Sequence, residues 1–248
     1  MPNVSLEAHD DIAVLRLTNG VTNAISPELV DDLSVELKRI KNEFKGMVLA
    51  GGDKFFCIGL DLPGLLQLGR TEMTDFYVSL NQAVYDLYIL PLPTACAIAG
   101  HATAGGAILA VSTDFRFVAE GRKFIGFNEV KIGVPVPFLA DLILRQIVGD
   151  RHATEMMFSG EFLEPEHAHK IGLVDDVFSA EEVENEAIAK VVMLAAMPSG
   201  GFRLIKNNRV EALRLQYDQM RKSDADDFLN CWFDPSVQEL LQEATQKF

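Results

Sequence analysis

"FCIGLDL", residues 56–62, is an apolar run broken by Gly59, with a lone carboxylate, Asp61, set between two leucines. A strand entering at Phe56 and Cys57 would end at the glycine, which turns the chain at no steric cost. Upstream, "MVLAGG" (47–52) is a short apolar run closed by two glycines and reads as a buried strand leading into this phrase. Downstream, "TACAIA" (94–99) reads as another strand, and "GHATAGGAILAVSTD" (100–114) as strand, glycine turn and helix. Short strands are expected at 115–119 and 124–127, followed by helical patterns at 138–147 and 153–158. Strands that alternate with helices point to an α/β fold around a buried, largely parallel sheet.

Outside this central stretch, residues 3–18 alternate as a hairpin with its turn at Asp10 and Asp11. A helix follows with Ser26 as N-cap and Pro27 at the first helical position; Val30, Leu33, Leu37, Ile40 and Phe44 form its apolar stripe. A further helix is expected around residues 74–90. Beyond Ser179 no strand pattern appears, and 180–197, 200–221, 224–232 and 235–247 all read as helical. The chain therefore divides, by pattern, into a core over 1–179 and an all-helical region over 180–248.

The 248 residues are enough to bury one large core. Hydrophobic content of 48% with 23% charged residues is ordinary for a soluble protein, and no apolar run reaches the ~18–20 residues of a membrane span. The N-terminus lacks a basic region followed by an apolar one, and the final "QKF" is no address tag, so the cytoplasm is the expected compartment. Cys57, Cys96 and Cys231 sit in apolar contexts without a CxxC, which suits buried thiols in a reducing environment. A net charge of −14 argues against a nucleic-acid surface, which needs clustered cations. An anionic small ligand would rely on local basic residues drawn from Lys54, Arg122, Lys123, Lys206 and Arg209.

The chain has no GxxxxGK[ST], no GxGxxG opening a helix, no GxSxG and no HExxH. His167 and His169, two apart on a helix, would face different ways, so no metal site is expected. Two glycine turns and one glutamate remain. Gly59-Leu60-Asp61 and Gly105-Gly106 would each offer an exposed amide to an oxyanion, or would simply be a strand breaker and a tight packing point. Glu129, in "FNEVKIGV", is either a solvated carboxylate or, among Ile125, Phe127, Val130 and Ile132, a desolvated one with its pKa raised into the range of a useful base.

Taken in order, "NAIS" (23–26), "FCIGLDL", "GHATAGGAILAVSTDFRFV" (100–118), "FNEVKIGVPVP" (127–137) and "GEFLEPEHAHKIGLVDDVF" (160–178) resemble the motifs of the crotonase superfamily, the enoyl-CoA hydratase/isomerase group. The resemblance covers nearly the whole chain. It implies a spiral of ββα units with a C-terminal helical region that covers the acyl site and mediates trimer contacts, in a homotrimer or a dimer of trimers. It also implies an acyl-CoA thioester as substrate, with no separate cofactor and no metal. By the same resemblance the amides of Leu60 and Gly105 hold the thioester oxygen, Glu129 carries protons, and Gly106 belongs to the second turn. Asn23, Ala24, Ile58, Gly59, Asp61 and Leu62 would line the CoA groove, while Ile108, Val136, Phe138 and Phe233 would shape an apolar acyl pocket. Trp232 is an interface or pocket candidate, with plain packing as its alternative role.

Superfamily membership leaves the reaction open. Hydratases of the group use two glutamates, and the first would stand at position 108, which is Ile108 here. One carboxylate at position 129 suffices for the isomerases, which shift a double bond by carrying one proton. Asn128 in place of a proline, the "GLDL" version of the first turn and the bulky "VPVPFLADL" lean the same way, so 3-enoyl-CoA to 2-enoyl-CoA isomerisation is the expected activity. Another crotonase-type reaction, hydration or hydrolysis, would be favoured by Asp114 or another carboxylate facing the thioester. A non-catalytic acyl-CoA-binding protein is the third reading, against which Glu129 stands. Two departures bear on the groove: Ala104 replaces a third glycine, and Ile58 replaces a small alanine. Lys206 is either a partner for the CoA phosphates or a solvated surface lysine.

Overall fold

The computed structural model describes residues 2–246. The chain opens with the hairpin β1 (Val4–His9) and β2 (Ile12–Leu17), whose turn puts Asp10 in the left-handed region at φ 52°. Helix α1 (Pro27–Glu43) follows; Ser26 caps it by accepting a hydrogen bond from the Leu29 amide, and its Leu29, Val30, Leu33, Leu37 and Ile40 are buried.

Three turns of a spiral come next. The first is β3 (Gly46–Ala50), β4 (Phe55–Cys57), a short α2 (Leu62–Leu65) and the long α3 (Arg70–Tyr88). Next are β5 (Thr94–Ile98), β6 (His101–Thr103) and α4 (Gly105–Val111). The last is β7 (Phe115–Ala119), β8 (Ile125–Gly126), a 3-10 turn (Glu129–Ile132) and α5 (Phe138–Ser159). The first strand of each turn joins a six-stranded sheet in the order β1-β2-β3-β5-β7-β9, and the second joins a smaller sheet in the order β4-β6-β8. Apart from the β1–β2 hairpin, every pairing in both sheets is parallel. Crossover helices enforce that arrangement, since parallel neighbours need long connections. This is the α/β arrangement that the sequence pattern predicts, in the spiral of ββα units that the family resemblance implies.

Gly149, at φ 76° and ψ 163°, is non-helical and divides α5 into two helical stretches, in agreement with the two expected patterns. After α6 (Pro165–Lys170) comes β9 (Asp176–Phe178), a three-residue edge strand too short for its pattern to be read. Helices α7 (Val183–Ala195), α8 (Ser199–Trp232) and α9 (Pro235–Thr245) complete the chain. Lys247, the last residue of the expected 235–247 helix, lies outside the described residues. The break expected near Ser223 does not occur: its hydroxyl donates to the Met220 carbonyl within the helix, a local bond that α8 tolerates without ending.

The helical region does not behave as one unit. Val183, Ala187 and Val191 of α7 seal the outer face of the large sheet, in a second core with Val14, Val48, Ala97 and Phe117. A Cβ at Gly46 would collide with Val191, so the helix approaches the backbone directly there. Helix α8 instead packs on α3 and α5, and α9 on α2 and the 3-10 turn, over the inner face. Among the described residues no single helix is long and apolar enough to cross a membrane. Cys57 and Cys96 are buried and Cys231 is half-buried, all as free thiols.

Candidate active site

The opening phrase makes its turn at Gly59, at φ 98°, a value that L side chains rarely adopt. The Gly59 carbonyl accepts from the Ile25 amide, and the Ile25 carbonyl accepts from the Asp61 amide. Leu60 is thereby pinned between two hydrogen bonds that its own N–H does not share. The second turn lies against the first: a Cβ at Gly59 would stand 3.1 Å from the Gly105 nitrogen. There, the Ala104 amide donates to the Gly126 carbonyl and the Ala104 carbonyl accepts from Ile108, again leaving the Gly105 N–H out. Among the described residues neither the Leu60 nor the Gly105 amide has an acceptor. Two neighbouring amides left free beside a cavity are the elements of an oxyanion hole.

Ala104 stands at φ 49° and ψ −123°, a costly conformation for a residue with a Cβ. Thr103 braces the same turn by donating its hydroxyl to the Ile58 carbonyl at 3.2 Å. Gly106 faces the other way, and a Cβ there would collide with the Cys57 carbonyl. It lets α4 close on β4 and lies outside the cavity lining.

Glu129 begins the 3-10 turn and is 6% exposed, with Oε2 lacking any hydrogen-bond partner. Burial pushes its carboxyl up to about 7, against a smaller opposing effect of its own backbone amide; no neighbouring charge contributes. A buried acid with a free oxygen and a pKa near neutrality is suited to taking and returning a proton.

Glu129, Leu60 and Gly105 line one cavity of about 550 Å³, together with Ala24, Ile58, Asp61, Leu62 and Ile108. The structure thus brings together eight of the residues named from sequence. The others stand outside the lining. Asn23, at φ 49°, is buried and donates to the Phe56 carbonyl at 3.0 Å, anchoring the end of β4; Gly59 shapes the turn without facing the cavity. Val136 and Phe138 alternate with Pro135 and Pro137, and it is the prolines that face inward. Phe233 packs under the Arg70 guanidinium, and Trp232 is buried core. Tyr77 of α3 and Phe228 of α8 do place rings in the cavity, and as members of helical apolar stripes they are indistinguishable in sequence from core residues.

Asp61 is the other carboxylate in the lining, and its Oδ2 lies over Gly64 within α2. Asp114 lies elsewhere, in a second cavity, where it accepts from the Thr94 amide and hydroxyl at 2.9 and 3.0 Å and from Lys206 at 2.8 Å. Lys206 is therefore neither a phosphate partner nor a surface lysine: it is buried and donates also to the Leu92 carbonyl. Arg209 lines this second cavity as well, away from the first.

The remaining three basic candidates gather at one side of the first cavity. Phe55, His101, Phe124 and Phe162 form an aromatic run along the lining, with Lys54 over Phe55 and Arg122 over Phe124. Lys54, Arg122 and Lys123 all act on His101, whose pKa is lowered chiefly by burial and further by these cations. Its Nδ1 accepts from the Phe124 amide at 2.9 Å, which fixes the donor tautomer at Nε2. Among the described residues none of the three cations has a carboxylate partner, although the chain is strongly acidic. No three His, Cys, Asp or Glu side chains among the described residues are grouped so that they could hold a metal ion.

Residues 7–247 match the family profile described as "Enoyl-CoA hydratase/isomerase". Human mitochondrial enoyl-CoA delta isomerase 1 is 27% identical over 243 residues, covering 96% of this chain and 80% of the relative. The probable enoyl-CoA hydratase EchA17 of Mycobacterium tuberculosis is 29% identical over 180 residues, 72% of this chain and 69% of the relative. The crystal structure of human mitochondrial delta3-delta2-enoyl-CoA isomerase superposes with a TM-score of 0.94 at 26% identity, covering 99% of this chain and 97% of the other.

Proposed function

The chain belongs to the enoyl-CoA hydratase/isomerase family, and on that premise we propose that it moves the double bond of a 3-enoyl-CoA to the 2-position with Glu129 as its single acid/base. Ionised Glu129 removes a proton from C2 of the substrate. The charge flows to the thioester oxygen as a dienolate, held by the Leu60 and Gly105 amides, each donor being worth about 3 kcal/mol in a desolvated hole. Glu129 then returns the proton to C4, leaving the 2-enoyl thioester conjugated and the enzyme unchanged.

The observation that carries this reading is the setting of Glu129: its Oε2 unpartnered, its pKa raised to about 7 by burial with no neighbouring charge, with Ile108 rather than a carboxylate on the facing helix. Hydration requires a second group to hold and activate water. The apolar lining instead excludes water, which protects a dienolate from side reactions. The aromatic run with Lys54, Arg122 and Lys123 suits the adenine and phosphates of CoA. Human enoyl-CoA delta isomerase 1 supports the choice of reaction by its similarity.

A paired assay tests it: gain of conjugated-thioester absorbance from a 3-enoyl-CoA, and its loss from a 2-enoyl-CoA through hydration, each with the native protein and Glu129→Gln. Isomerisation lost in the variant with little hydration in either supports the reading; strong hydration by the native protein overturns it. We also propose a homotrimer, supported by the exposed Val192, Met193, Met197, Leu204 and Ile205 around the α7–α8 junction. Light scattering of the purified protein checks it, a monomer mass being the contrary result.

A further inference from the structure

Tyr77 and Phe228 come from helices 151 positions apart in sequence, yet both face the cavity and stack with ring centroids 4.0 Å apart and planes at 15°. Phe228 is backed in turn by the buried ring of Trp232, at 5.8 Å. The Tyr77 hydroxyl points away from the ligand space: it donates to Asp224 Oδ2 at 3.1 Å. The other oxygen of Asp224 accepts from the Phe138 amide at 2.9 Å, at the first residue of α5 and just past the prolines that line the cavity. One carboxylate on α8 therefore fixes three walls: α3 through Tyr77, the entry to α5, and α8 itself.

This is an expensive arrangement for a mere packing contact. Burial raises the pKa of the Asp224 carboxyl, and the two hydrogen bonds offset part of that cost. A leucine pair would close the same gap without placing a half-buried acid there. What the hydrogen bonds add is a fixed ring position, because a stacked Tyr held at its hydroxyl cannot swing aside as a free aliphatic wall can.

We infer that the stacked Tyr77–Phe228 pair is the end wall of the acyl arm, held by Asp224 as a positioning residue, and that it limits the length of the acyl chain the protein accepts. The inference rests on the acyl-CoA reading above. Leu80, on the same face of α3 as Tyr77 and also in the lining, forms the approach to the wall.

The test is binding, so that it does not depend on which reaction the protein performs. Calorimetric Kd values are measured for CoA and for saturated acyl-CoAs from butanoyl to dodecanoyl in steps of two carbons. In the native protein affinity rises roughly fourfold per buried methylene until the chain meets the wall, then stops rising. Phe228→Ala moves that break to longer chains by at least two methylenes, and Leu80→Phe moves it to shorter ones. Asp224→Ala blurs the break while CoA alone binds with unchanged Kd; Asp224→Asn, whose amide oxygen still accepts from Phe138, restores it in part. A ladder with its break at the same length in Phe228→Ala and Leu80→Phe overturns the inference and leaves the acyl-CoA reading intact. Failure of the native protein to bind any acyl-CoA overturns both.

Discussion

The two cavities of this molecule bury charge in opposite ways. In the first, Glu129 keeps one oxygen, Oε2, without a partner and its carboxyl is pushed up to about 7. In the second, buried charges are fully engaged: Arg116 donates to the Thr113, Asp114 and Leu173 carbonyls and pairs with Asp175 at 3.5 Å, and Lys206 bridges Asp114 and Leu92. Satisfied buried charges hold a structure together. An unsatisfied one costs stability and persists where the group must be free to exchange a proton. The contrast separates the proposed reactive site from a structural one on the same fold.

The largest effect that would break the contrast is on turnover. Glu129→Gln keeps the shape and removes the base, so isomerisation should fall by about three orders of magnitude or more. Lys206→Met, in the second cavity, should leave kcat per folded molecule unchanged but lower stability by about 2–4 kcal/mol, through lost charge-assisted bonds to Asp114 and Leu92. Urea melts and active-site titration read the two separately. A Lys206→Met protein of full stability and reduced kcat would invert the assignment.

A pH series sharpens the same point. The folded-state pKa of Glu129 is raised above its unfolded value of about 4.5, so burying it costs nothing while both states are protonated. The cost grows as pH rises from there through about 7 and is complete above it, where both states are ionised. Stability contributed by this site is thus greatest in acid and lost toward alkaline pH. Glu129→Gln, which cannot ionise, should be the more stable protein at pH 8, by on the order of 3 kcal/mol, with the advantage gone by pH 4. Equal melts of the two proteins at pH 8 would show that Glu129 is better solvated than its surroundings indicate. Turnover has the opposite sign, rising with pH through about 7 as the base ionises.

Legibility in the sequence follows the same division. The groups proposed to react lie in contiguous phrases, 56–62, 103–106 and 127–129, because a turn and the amide it exposes are set by neighbouring residues. Glycine at 59 and at 105–106 announces itself. Lys206 does not: its acceptor Asp114 is 92 residues away, and a lone lysine on a helix looks solvated until the chain is folded. Tyr77 and Phe228 are hidden for the same reason, since a cavity wall and a core stripe share one helical spacing. The loop over 134–137 was legible as apolar but not in phase; with two prolines fixing the backbone, the residues facing the cavity became Pro135 and Pro137 rather than Val136 and Phe138.

Backbone strain divides the cavities as well, and gives the smallest test. Beyond the β1–β2 turn, the described non-glycine residues with positive φ are Asn23 and Ala104, both beside the Gly59 and Gly105 turns, and neither lies at the second cavity. Asn23 has a side chain that bonds the nearby backbone and tolerates this region. Ala104 has nothing of the kind. Glycine there would relieve ~1–3 kcal/mol of strain and return ~0.5–1 kcal/mol through the greater freedom of the unfolded chain. Ala104→Gly should therefore stabilise by about 1 kcal/mol in urea unfolding. If Ala104 only shapes the turn, kcat will hold, because the residue-104 amide still donates to the Gly126 carbonyl and its carbonyl still accepts from Ile108, which aims the Gly105 amide. A stabilised protein with kcat reduced several-fold would instead mean that the Ala104 methyl, pressed against Gly59, is what keeps the two amides in register.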